Sequence, residues 1–353
     1  PIHFIRYDSQ TNWNESNTSY PFYKKSTDKG FIDACETLLK DKLMTLQWFE
    51  EDNGVDGFYT FNNSEQAFNW YTRKDGKIVG LFKHSFASLS KDGGITFSDP
   101  VKVNSLVMSG GKMWGQKTED DRYAISYNPV DQSEYRFPMA IISSDDGILY
   151  DDLLLVQGEV PARRFYGRWK DFGPCYMRGI TPGNGNPPGT DMWMTYSMNK
   201  EDMWVSRIPT PITYKVEEDI TNDFENMDIA GHITDWNIYS PTWAKASLIK
   251  ENSGNQCLQM KDMDPYDYCR AIRVFEESQG VTASFKLKVQ AMDSTQFDID
   301  ITDRFGNRPV QISFDTDGYI KAVNGAKMKS MQKFEVDKWY SFTINYDTRG
   351  LGA

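Results

Sequence analysis

The stretch Ser90-Lys91-Asp92-Gly93-Gly94-Ile95-Thr96-Phe97 decides how the rest of the chain is read. Asp92 followed by two glycines suits a tight turn. A carboxylate accepts backbone N–H groups there, and glycine takes positive φ without steric penalty. Thr96 and Phe97 then restart a strand whose aromatic ring can fold back under the turn. A looser copy follows at Ser143-Ser144-Asp145-Asp146-Gly147-Ile148-Leu149-Tyr150. Its first serine lies 53 positions after Ser90, about the length of one four-stranded antiparallel unit. The two copies therefore predict a repeated β unit.

The composition agrees with that reading. A length of 353 residues accommodates two domains, each with its own core. Aromatic residues make up 14% of the chain and the mean hydropathy is −0.61. No apolar run approaches the roughly 20 residues of a membrane span, so an aromatic-rich β protein is expected rather than a membrane one. A net charge of −11 and a pI of about 4.9 argue against a broad nucleic-acid-binding surface. The histidines are His3, His84 and His232, and no metal-ligand spacing occurs, so neither a metal nor a cofactor is expected. Four cysteines are too few for a disulfide scaffold; Cys257 and Cys269 read either as free thiols or as a cross-strand pair. The chain starts at Pro1 and stops just beyond the strand-like run 339–346, so further sequence is expected at its ends.

Apolar residues at Phe31, Ala34, Cys35, Leu38, Leu39 and Leu43 fall at helical spacing and predict a short helix over 31–43. From Thr45 the pattern turns to β, with strand-like runs at 68–72, 78–82, 86–89, 101–107, 112–117, 123–127, 139–143 and 153–157. Residues 160–190 read as a long connection rich in Gly, Pro and Arg, with a flexible Gly183-Asn184-Gly185-Asn186 segment. A hairpin at 192–197 and 203–207 follows, and Pro209 and Pro211 make a stiff exit. The predicted boundary is therefore 1–212 and 213–353. In the second part, alternating runs at 236–239, 257–260, 271–275, 282–289, 297–301, 309–314, 319–323 and 339–346 predict a β-sandwich.

The Ser-x-Asp-x-Gly-x-Thr-aromatic pattern resembles the Asp-box of the sialidase superfamily. Ser126-Tyr127-Asn128-Pro129 and the run from Tyr196 to Pro209 resemble segments of sialidase-like propellers of secreted bacterial carbohydrate-active proteins. The resemblance implies an all-β chain: a sialidase-like β-propeller of five or six blades, then a concanavalin-like jelly roll. It also implies a secreted, periplasmic or cell-surface location and a glycan as partner. Sialidases hold a carboxylate with arginines and attack with a tyrosine–glutamate pair, which Tyr166 and Glu159 could imitate. Arg136-Phe137-Pro138 is similar to the Arg-Ile-Pro of sialidases; Arg207-Ile208-Pro209 matches it better, but at a strand end where a structural role is expected.

In up-and-down blades the box occupies the outer turn, so the turn between the two middle strands and the crossover to the next blade share the opposite face. That selects 83–85, 110–117, 128–136, 159–178 and 199–202. These segments are rich in Arg, Lys, Trp and Tyr although the chain is acidic. Arg forks suit carboxylates, and aromatic faces suit sugar rings, so an acidic or plant-type glycan is expected. The expected substrate-binding residues are Arg136, Arg164, Lys112, Trp114, Trp169, Lys170 and Arg178. Of the adjacent Arg163 and Arg164 only one is expected to point inward. The expected catalytic residues are Glu159, Glu201, Tyr166 and His84. Three activities fit: an exo-acting glycoside hydrolase using a carboxylate, a polysaccharide lyase using His84 or Tyr166 as base, and a non-catalytic glycan-binding protein.

Overall fold

The computed structural model describes residues 23–48, 66–108, 110–132, 134–180, 189–292, 296–324 and 327–348. By packing, the chain divides into two compact units. One is Pro1–Tyr214 with Asp223–Arg273, and the other is Lys215–Asn222 with Val274–Ala353.

The first unit begins with helices. Asp28 caps α1 (Lys29–Lys40), its Oδ1 accepting the Phe31 N–H at 3.1 Å. The helix predicted over 31–43 is present but stops at Lys40, because Asp41 caps a second one, α2 (Lys42–Trp48). Asp41 Oδ1 accepts the Met44 N–H at 3.1 Å, so helix replaces the β pattern expected from Thr45. Leu46 buries against Phe68 and Phe82 of the first sheet.

Three antiparallel sheets follow. The first is β1 (Asn69–Thr72), β2 (Ile78–Phe82), β3 (Phe86–Ser90) and β4 (Val101–Lys102), in that order. The second is β5 (Trp114–Lys117), β6 (Tyr123–Tyr127), β7 (Met139–Ser144) and β8 (Asp151–Gln157), again in sequence order. The third contains β9 (Pro174–Gly179), β10 (Met192–Met198) and β11 (Asp202–Ile208). Their first strands lie side by side, β1 by β5 and β5 by β9, as the inner strands of propeller blades do. Asn69 fastens one such contact: its Nδ2 donates to Met113 O at 2.7 Å, and its Oδ1 accepts the Gly115 N–H at 2.9 Å. The next contact depends on a glycine: a Cβ on Gly179 would overlap Trp114 Nε1 and Gln116 Oε1. The expected count of five or six blades rests in part on residues 1–22 and 49–65, which lie outside the described residues.

β9 corrects the reading of 160–190 as one connection. Cys175 and Met177 turn into the core, while Tyr176 and Arg178 face the other way, in the two-residue alternation of a strand. Residues 181–188 of that stretch, which include the Gly183–Asn186 segment, lie outside the described residues.

Both boxes form as turns at the outer edge of their sheets. Thr96 donates its N–H and Oγ1 to Asp92 at 2.9 and 2.5 Å, and Ser90 Oγ donates to Asp92 at 2.8 Å. These bonds hold the exposed Asp92 carboxyl down at about 2, with the Thr96 hydroxyl the largest cause. Gly93 and Gly94 take φ of 74° and 88°, and Phe97 packs edge-on against Phe68 at 5.6 Å. In the second copy Ser144, not Ser143, occupies the box position. Asp146 Oδ1 accepts from Ser144 Oγ and from the Ile148 and Leu149 N–H groups at 3.1, 2.7 and 2.8 Å. Ser143 instead accepts from Arg122 at 3.1 Å.

Beyond the three sheets, the first unit adds β12 (Trp236–Tyr239), β13 (Ala244–Lys250), β14 (Gln256–Asp262) and β15 (Arg270–Arg273), paired as β12–β15 and β13–β14. Cys257 and Cys269 are free thiols, because the strand carrying Cys257 and the one beginning after Cys269 belong to different sheets.

The second unit is β16 (Gly280–Lys288), β17 (Phe297–Ile301), β18 (Val310–Phe314), β19 (Tyr319–Asn324), β20 (Lys327–Lys333) and β21 (Trp339–Asp347). β16 pairs with β21, and β17 to β20 form a meander. Phe314 from the meander meets Phe342 from the two-stranded sheet at 5.9 Å, and Ile312, Ile320 and Phe334 complete the core between them. This is the sandwich packing that the alternating pattern predicts. Among the described residues no helix is long and apolar enough to cross a membrane.

Candidate functional site

The segments opposite the boxes are fastened to one another. Ser85, beside His84, donates to Leu106 O at 2.7 Å and so anchors the β2–β3 turn. Tyr135 pairs with Phe172, and their rings stack at 5.8 Å, which ties the β6–β7 loop to the β8–β9 crossover. The Gly173 N–H donates to Asn199 Oδ1 at 2.8 Å, which adds the β10–β11 turn. His84, Ser85, Trp169, Tyr176, Asn199 and Lys200 all have φ between 54° and 65°. Non-glycine residues held in that region concentrate where the surrounding structure fixes a functional geometry.

Two charged clusters result. In the first, Lys112 Nζ and Lys200 Nζ lie 4.6 and 5.0 Å from the centre of the Tyr176 ring. Lys200 Nζ also reaches Asp171 Oδ2 at 2.8 Å, and Arg136 Nη2 reaches the same oxygen at 3.4 Å. Arg136 lies beside Gly111, where there is no side chain to exclude it. Burial opposes the charge on Lys200, but hydrogen bonds to Asp171 and Tyr176 outweigh it and raise the pKa. Arg178, on the same strand as Tyr176, sits over Trp114 at 5.3 Å. Burial lowers its pKa to about 10. Lys200 and Arg136 thus share the Asp171 carboxylate, and the half-exposed Tyr176 ring is in reach of Lys112 and Lys200.

The second cluster is balanced. Glu201, almost wholly buried, accepts the Arg164 and Phe165 N–H groups at 3.1 and 2.9 Å and Lys170 Nζ at 3.1 Å. Arg164 Nη2 also reaches Asp202 at 2.7 Å. Burial would raise the Glu201 pKa, but the backbone donors and Lys170 outweigh it and lower it. This cluster clamps the β8–β9 crossover onto the β10–β11 turn.

The expected site residues therefore separate. Lys112 comes to Tyr176, Arg136 to the Asp171 that Lys200 also reaches, and Arg178 lies over Trp114, whereas Arg164, Lys170 and Glu201 form the clamp. Lys170 and Asp171 are both ion-paired, but to Glu201 and Lys200 respectively. Glu159 pairs with Arg270 of β15, and the highly exposed Tyr166 lies 5.7 Å from Arg163, so those two are not brought together. Arg163 itself packs over Phe172 at 3.8 Å. Trp114 is a core residue donating to Gln116, while Trp169 is exposed. His84 is exposed on its turn. Arg207 pairs with Asp191, in keeping with a structural role. Sequence reasoning missed Tyr176 and Asp171. The signal for Tyr176 was the buried–exposed alternation across Pro174–Gly179, hidden inside a Gly/Pro-rich stretch.

Residues 236–351 match the family model described as "Sialidase-like, CBM domain". Residues 1–65 match one described as an N-terminal beta propeller. A solved structure titled "Sialidase" is similar at 38% identity with a TM-score of 0.85, over 95% of this chain. The chain spans 30% of the length of that structure. No curated protein matches. With inner strands side by side, Asp-boxes at the outer turns and these likenesses, the chain has a sialidase-like β-propeller fold with a C-terminal β domain.

Proposed function

We propose that the chain is a glycoside hydrolase that releases a terminal acidic sugar from an acidic or plant-type glycan, at the cluster around Tyr176. The observation that carries this is the convergence of Lys112 and Lys200 on the Tyr176 ring, with Lys200 and Arg136 meeting at Asp171, in a chain of net charge −11. Such a group of side chains suits a substrate carboxylate, to which Arg136 offers the planar fork of a bidentate donor. The likeness to a protein titled sialidase supports the same substrate class.

Tyr176 supplies the reacting oxygen. The nearby ammonium groups of Lys112 and Lys200 favour negative charge developing there. The phenol oxygen attacks the anomeric carbon as the bond to the leaving oxygen breaks, and the proton that the phenol gives up is taken up, through water, by that leaving oxygen. Water then displaces the phenol oxygen, and this hydrolysis returns a proton from water to the phenol. The conservative variant Tyr176→Phe keeps the ring that both ammonium groups face and removes only the oxygen. Reducing-end release from an acidic oligosaccharide is expected to fall about 10²–10⁴-fold. Unchanged turnover would sink the assignment. A tyrosine beside lysines also suits abstraction of the proton α to a uronate carboxylate. An unsaturated product absorbing in the ultraviolet would select that lyase reading, and binding without product would select the non-catalytic one.

A further inference from the structure

We propose that Asp171 is a positioning residue of the Tyr176 cluster: it holds the Lys200 ammonium beside the Tyr176 hydroxyl and acts on the reaction only through that lysine. The kinetic consequence rests on the reading of Tyr176 as the reacting group; the placing of Lys200 does not.

The two ends of Lys200 are fixed by different means. Its backbone is set by the neighbouring Asn199, which is buried. The Asn199 N–H donates to Gly173 O at 2.9 Å, its Oδ1 accepts the Gly173 N–H at 2.8 Å, and its Nδ2 donates to Pro161 O at 2.8 Å. The β10–β11 turn is thereby pinned to the segment that carries Asp171 on one side of Gly173 and Tyr176 on the other. That segment has little room to shift, because a Cβ on Gly173 would come within 2.9 Å of Arg136 O.

None of this places the ammonium, which ends a flexible four-carbon stem with three N–H donors. The Lys200 ammonium donates to Trp169 O, reaches Asp171 Oδ2 at 2.8 Å, and faces the Tyr176 hydroxyl. Of these three acceptors only the carboxylate carries a full charge, so it is the strongest hold. Arg136 Nη2 lies 3.4 Å from the same oxygen, longer than an ordinary N–H···O bond, so Asp171 serves Lys200 first. The two side chains of the pair are 19% and 13% exposed, and water screens them only in part. The other groups nearby do not replace the carboxylate. Lys112, across the Tyr176 ring, is a cation, as are Arg136 and Lys170. The buried Cys175 thiol is pushed up to about 12 and stays neutral. Glu201, next in sequence, is held in the clamp by Arg164 and Lys170.

Two measurements on the full chain test this. In the first, acetic anhydride labels lysines over a pH series and mass spectrometry reads Lys200. Asp171→Asn removes a hydrogen bond that raises the Lys200 pKa while burial still opposes its charge, so labelling of Lys200 should set in at lower pH. Lysines outside the cluster should label as before. In the second, kcat and KM are measured for reducing-end release from an acidic oligosaccharide. Asp171→Asn and Lys200→Met should each lower kcat about ten- to a hundredfold, and the double variant should lose no more than either alone. KM should stay close to the wild-type value, and Asp171→Glu, which keeps the charge, should recover part of kcat. Circular dichroism checks that each variant is folded, with Asp171→Ser as the replacement if Asp171→Asn is not. Lys200 labelling that does not move when Asp171 is neutralised overturns the proposal. Losses that multiply in the double variant also overturn it, because Asp171 would then act on the substrate directly. A wild type whose Lys200 responds to Asp171 as expected, yet which releases no sugar, supports the placing of Lys200 and overturns the hydrolase reading instead.

Discussion

At the scale of single residues, hydrogen bonding decides where charge is held. Asp92 has a folded pKa of about 2, below its ordinary 3.8. A lowered carboxylate pKa gives stability that is fully present above the unfolded value and is lost as pH falls through the folded one. Melting temperature should therefore drop between about pH 4 and pH 2, and Asp92→Asn should flatten that drop. Equal slopes for both proteins would mean that the turn bonds do not persist in solution. Glu201 follows the same sign. Its stabilisation is present above the ordinary carboxylate range and fades as acid protonates it. Replacing it by Gln leaves Arg164 and Lys170 poorly compensated in a nearly buried place, at a cost of about 3 kcal/mol in chemical denaturation. If Glu201 were instead the reacting carboxylate, Glu201→Gln would abolish turnover without that loss of stability.

At the scale of elements, the Asp-box turn depends on two glycines that differ in surroundings. Both have positive φ, so alanine at either is strained. A Cβ at Gly93 meets open space, while one at Gly94 comes within 2.5 Å of Leu43 from α2. Gly93→Ala should cost about 1 kcal/mol and Gly94→Ala about 2–3 kcal/mol in urea denaturation. Equal costs would show that α2 does not press on the turn. The boxes themselves and most strands were legible in the sequence, because turn chemistry and two-residue alternation are local. β9 was not, although it carries Tyr176 and Arg178. Glycine and proline on both sides make it read as loop, and only its place beside β5 and β10 makes it an inner strand.

At the scale of the molecule, the two compact units have separate cores. Calorimetry should resolve two unfolding transitions. Phe314, fully buried in the second unit, is the probe: Phe314→Ala removes about 3–5 kcal/mol from that core. Only one transition should move. A single transition that shifts as a whole would show that the units unfold together.

The sequence alone determined the all-β class, the repeated boxes and the face on which the site is sought, because each follows from local hydrogen bonding and from strand alternation. It also marked that face by its unusual store of Arg and Lys. Only the tertiary structure decided how those charges are grouped. Arg164, Lys170 and Glu201 satisfy one another, while Arg136, Lys112 and Lys200 converge on Asp171 and Tyr176. The reason is physical: what a charge can do is set by its partners in space. Those partners lie on turns and strands of different blades, so no spacing along the chain records them.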